Sequence, residues 1–173
     1  MIVINAVLAK WNDLPETAAI AEILPCCGST RWAHELAQAR PFVDEATLFS
    51  LSDSTWLRLS ANDWDEAFRS HPRIGEHKAP AAATPQSAIW SDKEQSGVDS
   101  SDEEALSALA HGNRLYEERF GRIFLVCATG KSAAQILEIL KRRLENDPQT
   151  ELRESAEQQR QITQIRLRKW LQS

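Results

Sequence analysis

The peptide His71-Pro72-Arg73-Ile74-Gly75 contains the histidine of this 173-residue chain that is best placed for proton transfer. The preceding residues 60–68 have the pattern of a capped amphipathic helix, and Pro72 disfavours the helical conformation at the residue before it. The pattern therefore predicts that His71 is the last residue of that helix. An imidazole titrates near neutrality and can serve as a general acid or base. A histidine at a helix end can also merely complement the helix dipole, and the peptide alone favours that simpler interpretation.

A second group of polar residues lies in the peptide Ser91-Asp92-Lys93-Glu94-Gln95-Ser96-Gly97. Ser91, Glu94 and Gln95 are three and four residues apart, so a hydroxyl, a carboxylate and an amide share one face of a helix. Such a trio can orient a polar ligand by hydrogen bonds while the carboxylate tunes a nearby imidazole. A solvated helix surface is the alternative, and the spacing alone favours it.

The third candidate is Arg166, which is flanked by the apolar residues of a core-facing stripe near the end of the chain. A guanidinium fork can bind a carboxylate or a ureido oxygen through two parallel hydrogen bonds. The alternative is an exposed arginine that, with Arg168 and Lys169, complements the C-terminal end of a helix. The sequence leaves both interpretations open.

A metal site is a weaker possibility. His71, Glu76 and His77 are close in sequence, and a metal-dependent hydrolase could be built on them. Their spacing does not match a helical His-x-x-x-His pair, so we expect no metal site. The three cysteines (Cys26, Cys27 and Cys127) lack the paired spacing of a zinc site and are predicted to be small buried hydrophobes.

We expect helices to position these candidate site residues. The chain is 42% hydrophobic and 26% charged, has few Gly and Pro, and is long enough for one core. We therefore expect one all-α domain over residues 1–173, a compact bundle of about eight to ten helices. Irregular structure is expected at 75–86, and a buried extended run at 123–127. The individual helices are predicted at residues 16–24, 29–38, 44–57, 60–71, 87–97, 101–120, 132–146 and 148–171.

Charge and composition exclude several partners. The net charge of -5 argues against nucleic-acid binding, which requires clustered Lys and Arg. No apolar stretch has the length of a membrane span, and the N-terminus lacks the features of a signal peptide. The cysteine usage suggests a reducing compartment. These features together predict a cytoplasmic protein whose partners are small molecules or proteins.

Four motifs occur in a recognisable order: Ser70–Gly75, Ser91–Gly97, Asn113-Arg114-Leu115-Tyr116 with Phe120-Gly121, and residues 162–167. This order resembles the 2-oxo-4-hydroxy-4-carboxy-5-ureidoimidazoline (OHCU) decarboxylase family and spans nearly the whole chain. Each motif alone is weak, but the first two at this distance are fairly specific. The resemblance implies an all-α homodimer that needs no cofactor. It also implies decarboxylation of OHCU to (S)-allantoin and CO2, the last step of urate oxidation in purine catabolism.

The resemblance also implies roles for particular residues. His71 would be the catalytic imidazole and Glu94 its acidic companion, while Arg166 would hold the anionic or ureido end of the substrate. The remaining substrate contacts would be Pro72, Ser91, Gln95 and the backbone amides of Ile123, Phe124 and Leu125. The rival hypothesis is a non-catalytic helical interaction module, based on the long amphipathic C-terminal helix and the six dispersed tryptophans.

Overall fold

The computed structural model describes residues 5–76, 78–98 and 102–173. These residues form nine α-helices, a short 3-10 helix (Leu24–Cys26) and no strand. The predicted all-α class is confirmed, and nine helices fall within the predicted range. The α-helices are α1 (Ala6–Asn12), α2 (Glu16–Ile23), α3 (Thr30–Gln38), α4 (Glu45–Arg58), α5 (Ala61–Phe68), α6 (Pro85–Glu94), α7 (Glu103–Phe120), α8 (Ala133–Leu144) and α9 (Pro148–Trp170).

Most helix boundaries follow from local sequence signals. Ser29 caps α3 by accepting a hydrogen bond from the Trp32 N–H, and Ser132 and Gln135 form a capping box at the start of α8. Helix α7 ends at Gly121, whose φ of +69° belongs to the left-handed region that glycine adopts without strain. Helix α1 was not predicted, because seven residues are too short to show a clear periodicity.

The prediction that His71 ends its helix was wrong. Helix α5 ends at Phe68, and the backbone N–H of His71 donates to the Phe68 carbonyl in a turn that follows it, at 3.1 Å. Pro72 disfavours the helical conformation at His71, but the helix has already ended three residues earlier. His71 therefore lies in a connecting segment, and its position depends on contacts outside α5.

The described residues divide into two compact units. Unit 1 contains the described residues up to Ala67 together with Arg160–Ser173, and unit 2 contains Phe68–Gln159. The single domain over residues 1–173 stays a prediction.

The core of unit 1 is built around tryptophans. Trp11, Trp32 and Trp56 are almost fully buried, and Trp11 packs edge-on against Trp170 with ring centroids 5.6 Å apart. The indole N–H of Trp11 donates to the Ala19 carbonyl, so its polar atom is satisfied. These four tryptophans belong to the core, which weakens the hypothesis that they form an interaction surface.

The core of unit 2 is centred on α7 and α8. Its apolar cluster includes Leu109, Tyr116, Phe124, Ile136 and Leu140, all at most 1% exposed. The run predicted at 123–127 is buried except at its first residue: Ile123 is only partly buried, whereas residues 124–128 are all buried and form no strand.

Candidate active site

The imidazole of His71 is buried in unit 2, where only 6% of the residue is exposed. Its Nε2 lies 2.8 Å from Oε1 of Gln159, which is fully buried on α9. An amide oxygen can only accept a hydrogen bond, so Nε2 carries the hydrogen. This contact holds the ring in place, and an imidazole held in this way can act as a general acid or base.

A cleft of about 480 Å³ opens beside His71, within the size range of small-molecule sites. Its described lining contains three cationic side chains and one carboxylate, which favours an anionic ligand. Two of the predicted contacts, Pro72 and Ile123, line this cleft together with His71. The other lining residues are Arg69, Arg73, Glu76, Lys78, Ala79, Pro80 and Ala81.

Helix α6 meets the same region through a second, smaller pocket lined by Pro72, Glu76, Ala79, Ala88, Asp92 and Gln95. Gln95 lies just beyond the last residue of α6, and its Oε1 accepts a hydrogen bond from the Gly75 N–H at 3.0 Å. The carbonyl end of this amide is therefore bound to the backbone of the His71 peptide. Its Nε2 is the end that could donate to a ligand.

Ser91 and Glu94 are both buried on α6, at 3% and 9% exposed. The interpretation of this helix face as a solvated surface is therefore wrong for these two residues. A buried carboxylate requires hydrogen-bonding or charged partners. Glu94 has the burial expected of a residue with a specific polar role.

A buried polar network supports the extended segment at 123–127. Arg143 is fully buried on α8; its Nη1 donates to the Leu125 carbonyl at 2.6 Å, and its guanidinium lies 4.7 Å from the centroid of the Phe124 ring. The carboxylate of Glu151 balances the charge of Arg143 and accepts a hydrogen bond from the Tyr116 hydroxyl. The segment thus gains its backbone partners from side chains, because it has no neighbouring strand.

This network changes the pKa of the Tyr116 phenol. Burial raises the pKa of the phenol to about 12, the hydrogen bond to Glu151 adds to the rise, and the charge of Arg143 opposes it. Tyr116 therefore stays neutral and acts as a hydrogen-bond donor at physiological pH.

Arg166 lies in unit 1, and it is fully buried, whereas Arg168 is exposed. The interpretation of Arg166 as an inward-facing arginine is confirmed. Its Nη1 donates to the Pro25 carbonyl at 3.2 Å. The charge also acts on the buried Cys27 thiol, whose pKa burial raises to about 12, while Ser29, Thr163 and Arg166 lower it in part.

The weaker metal hypothesis depended on His77, which lies outside the described residues. Within the described ranges, His, Cys, Asp and Glu side chains form no group of three or more that could hold a metal ion. The described helices also include none that is both long and apolar enough to cross a bilayer.

A family model described as OHCU decarboxylase matches residues 12–168. The chain belongs to the OHCU decarboxylase family. A crystal structure of OHCU decarboxylase in the presence of (S)-allantoin superposes with a TM-score of 0.75 at 34% identity, covering 88% of this chain and 98% of that chain. A crystal structure of (S)-allantoin synthase has a TM-score of 0.69 at 14% identity and covers 94% of this chain and 53% of that one, a likeness of fold alone.

Three curated relatives are similar over most of the chain. The uric acid degradation bifunctional protein TTL of Arabidopsis thaliana is 33% identical over 83% of this chain, and that of Bacillus sp. (strain TB-90) is 22% identical over 92%. The chain spans only 44% and 31% of the lengths of these two proteins. The 2-oxo-4-hydroxy-4-carboxy-5-ureidoimidazoline decarboxylase of Amia calva is 28% identical over 94% of this chain, which spans 90% of that protein.

Three site-supporting residues of this OHCU decarboxylase family member were missed by the sequence analysis: Gln159, Arg143 and Glu151. The signal for Arg143 was its spacing, because it follows Ile136 and Leu140 on the buried face of α8. Glu151 likewise lies one turn before the fully buried Ser155 on α9. A polar side chain in register with an apolar stripe is the pattern that would have identified Arg143.

Proposed function

We propose that this chain decarboxylates OHCU to (S)-allantoin and CO2, the last step of urate oxidation in purine catabolism. The observation that carries this proposal is the 34% identity to a crystal structure of OHCU decarboxylase of which the chain covers 98%. The cleft beside His71, with its excess of cationic side chains, suits a carboxylate substrate. The proposed reaction class is that of a carboxy-lyase.

The substrate can accept the electrons of the broken bond itself. When the C–C bond to the carboxylate breaks, the electron pair flows into the adjacent C=N bond, and the ring nitrogen takes up a proton. The hydroxyl proton is then lost as the carbonyl forms, and the neighbouring carbon gains a proton on one face. The protein must orient the carboxylate and move these protons. We expect the reaction to need no added cofactor.

His71 and Glu94 are proposed to carry the proton transfers. The imidazole of His71, whose Nε2 is held by Gln159, is the proposed acceptor for the hydroxyl proton. Glu94 is proposed to tune or assist this imidazole as a buried carboxylate.

Arg166 is proposed to bind the anionic or ureido end of the substrate. Its burial supports the choice of Arg166 over the exposed Arg168, because a guanidinium shielded from water binds an anion more strongly. The remaining proposed contacts are Pro72, Ser91, the Nε2 end of Gln95, and the backbone amides of Ile123, Phe124 and Leu125.

We further propose a homodimer located in the cytoplasm, without a nucleic-acid or membrane partner. The support is the family resemblance, the net charge of -5 and the cysteine usage, which is typical of a reducing compartment. Light scattering on the purified chain tests the oligomeric state, and a monomer mass would contradict the homodimer.

The decisive experiment generates OHCU in situ from urate with the two upstream enzymes and follows the appearance of optical activity. We expect the chain to accelerate formation of (S)-allantoin, and a rate equal to that without the chain would contradict the proposed function. His71→Asn and Glu94→Ala should remove the acceleration without loss of helicity by circular dichroism. The matched controls are His34→Asn and Glu104→Ala, which change exposed residues of the same types.

A further inference from the structure

Three consecutive residues after His71-Pro72 are each held by a different side chain. The guanidinium of Arg73 donates two hydrogen bonds to the carboxylate of Glu117, one of them 2.9 Å long between Nη2 and Oε2. The Ile74 carbonyl accepts from Nδ2 of Asn113 at 3.1 Å. With the bond from the Gly75 N–H to Gln95, residues 73–75 are anchored to α7 and to the end of α6.

The segment needs these anchors because it has no regular structure of its own. Residues 71–76 belong to no helix, and Gly75 has a φ of +84°, in the left-handed region. A loop without such restraints samples several conformations. A catalytic imidazole, by contrast, must keep its position to within a fraction of an ångström. The position of His71 in this segment therefore depends on the side chains that contact residues 73–75.

The two α7 anchors contribute little to stability by themselves. Asn113 is 3% exposed and donates one hydrogen bond, but its Oδ1 has no hydrogen-bond partner in the described part of the chain. The gain from the bond and the penalty for the unpaired oxygen are of similar size. The Arg73–Glu117 pair is partly exposed, at 45% and 28% of the two side chains, and such pairs stabilise a fold only weakly. Both anchors constrain geometry more than they stabilise.

We propose that Asn113 and Glu117 are positioning residues, which act through Ile74 and Arg73 to hold His71 beside Gln159 and at the cleft. Neither is a catalytic residue, because each acts on the backbone or side chain of the peptide that carries the imidazole. The expected loss of kcat rests on the proposed function. The expected displacement of the imidazole does not, since the state of the ring can be measured without substrate.

The test compares Asn113→Ala and Glu117→Gln with the wild type. The matched control is Glu118→Gln, which removes the same charge from the next residue of α7, where the side chain is exposed. The kinetic readout is kcat and KM for OHCU generated in situ. The structural readout is the long-range proton–nitrogen NMR spectrum of the His71 ring, assigned with His71→Asn, which reports the tautomer and the Nε2 hydrogen bond. Thermal unfolding of each variant is measured alongside.

We expect both variants to lower kcat by about 10-fold to 100-fold, with KM changed less than about threefold, because a small displacement of a reacting group has effects of this size. The His71 nitrogen signals should shift or broaden in both variants, and Glu118→Gln should match the wild type in every measurement. Asn113→Ala and Glu117→Gln disturb different anchors. If one variant fails to fold, the other still tests the proposal.

Two results would overturn the proposal. In the first, folded variants keep the wild-type kcat and His71 spectrum, so that the anchors serve stability alone. In the second, KM rises while kcat and the spectrum are unchanged, which would assign the two residues to substrate binding. A wild-type chain without turnover would contradict the proposed function instead, and the His71 spectra would still decide whether the anchors position the imidazole.

Discussion

The Nε2 atom of His71 forms a hydrogen bond with the neutral side-chain amide of Gln159, and both residues belong to unit 2. The amide oxygen of Gln159 accepts a hydrogen bond there without adding negative charge, so it selects the tautomer of the neutral ring that carries its hydrogen on Nε2. In the proposed function, the buried carboxylate of Glu94 tunes or assists this imidazole. The amide thus has the orienting function that carboxylates or carbonyls often have beside functional histidines.

Replacing Gln159 with Leu should separate this orienting role from simple packing. Leu fills a similar volume but cannot accept a hydrogen bond, so the buried Nε2–H loses its partner and the ring loses its tautomer preference. We expect kcat to fall by at least about tenfold, the scale of effects on acid–base catalysis. The control is Gln149→Leu, an exposed position on the same helix. A Gln159→Leu variant with the kcat of the wild type would show that the amide does not orient the imidazole.

Tyr116 is the only tyrosine in the chain, so its ionisation can be followed by ultraviolet absorbance. Burial raises its pKa from 10.0 to about 12 in the folded protein. The neutral phenol therefore favours the folded state: this contribution is complete below pH 10 and is lost as the pH rises through 12. We expect no tyrosinate in the folded protein at about pH 10, and a midpoint near 10 in denaturing urea. A midpoint near 10 in the native protein would contradict the buried network.

At the scale of elements, the end of α6 is tied to the rest of unit 2 at two points. Gln95 binds the Gly75 N–H, and two residues later the backbone of Gly97 approaches the Lys131 carbonyl. A Cβ at position 97 would lie 2.6 Å from that oxygen, which is closer than van der Waals contact. Two residues beyond Gln95, the turn after α6 therefore packs closely against the backbone of Lys131.

Replacing Gly97 with Ala should displace this turn. The clash is with backbone, which cannot rotate away, so we expect the free energy of unfolding to fall by about 1–3 kcal/mol, as for other overpacked sites. Because Gln95 would move as well, kcat for OHCU should also fall. Urea unfolding and the in situ urate assay measure the two effects, with Ser96→Ala at the exposed neighbouring residue as the control. Equal stability and activity in the two variants would refute the close approach.

At the scale of the whole molecule, each unit contains its own core and its own cysteines. Cys26 and Cys27 are buried in unit 1, and Cys127 is buried in unit 2. Buried thiols react slowly, and the raised pKa of Cys27 leaves it almost entirely as the unreactive thiol. The three thiols can therefore report the unfolding of each unit separately.

If residues 1–173 form one cooperative domain, the three cysteines should become reactive at the same urea concentration. Pulsed alkylation followed by mass spectrometry assigns each modification to its residue. The fully denatured chain serves as the control and should show three modified thiols. A lower or higher midpoint for Cys127 than for the other two would contradict the single domain.

The sequence by itself determined the helices and the ordered motifs. Caps such as Ser29 and Ser132, the stop at Gly121 and the apolar stripes depend on residues within about one turn of each other, so they can be read along the chain. The spacing of Ser91 and Glu94 likewise predicted a shared face. It could not predict that this face is buried, because a polar face has the same periodicity whether it meets water or protein.

Only the tertiary structure decided what surrounds His71. Gln159 is 88 residues from His71 in the chain, and Gln95 is 20 residues from Gly75. No local pattern encodes such pairs, since they form only when separate helices pack. The same packing stabilises irregular segments such as residues 71–76, which follow the early end of α5 and contain His71. The residue types therefore predicted the kind of chemistry, whereas the tautomer and the position of the imidazole follow from long-range contacts.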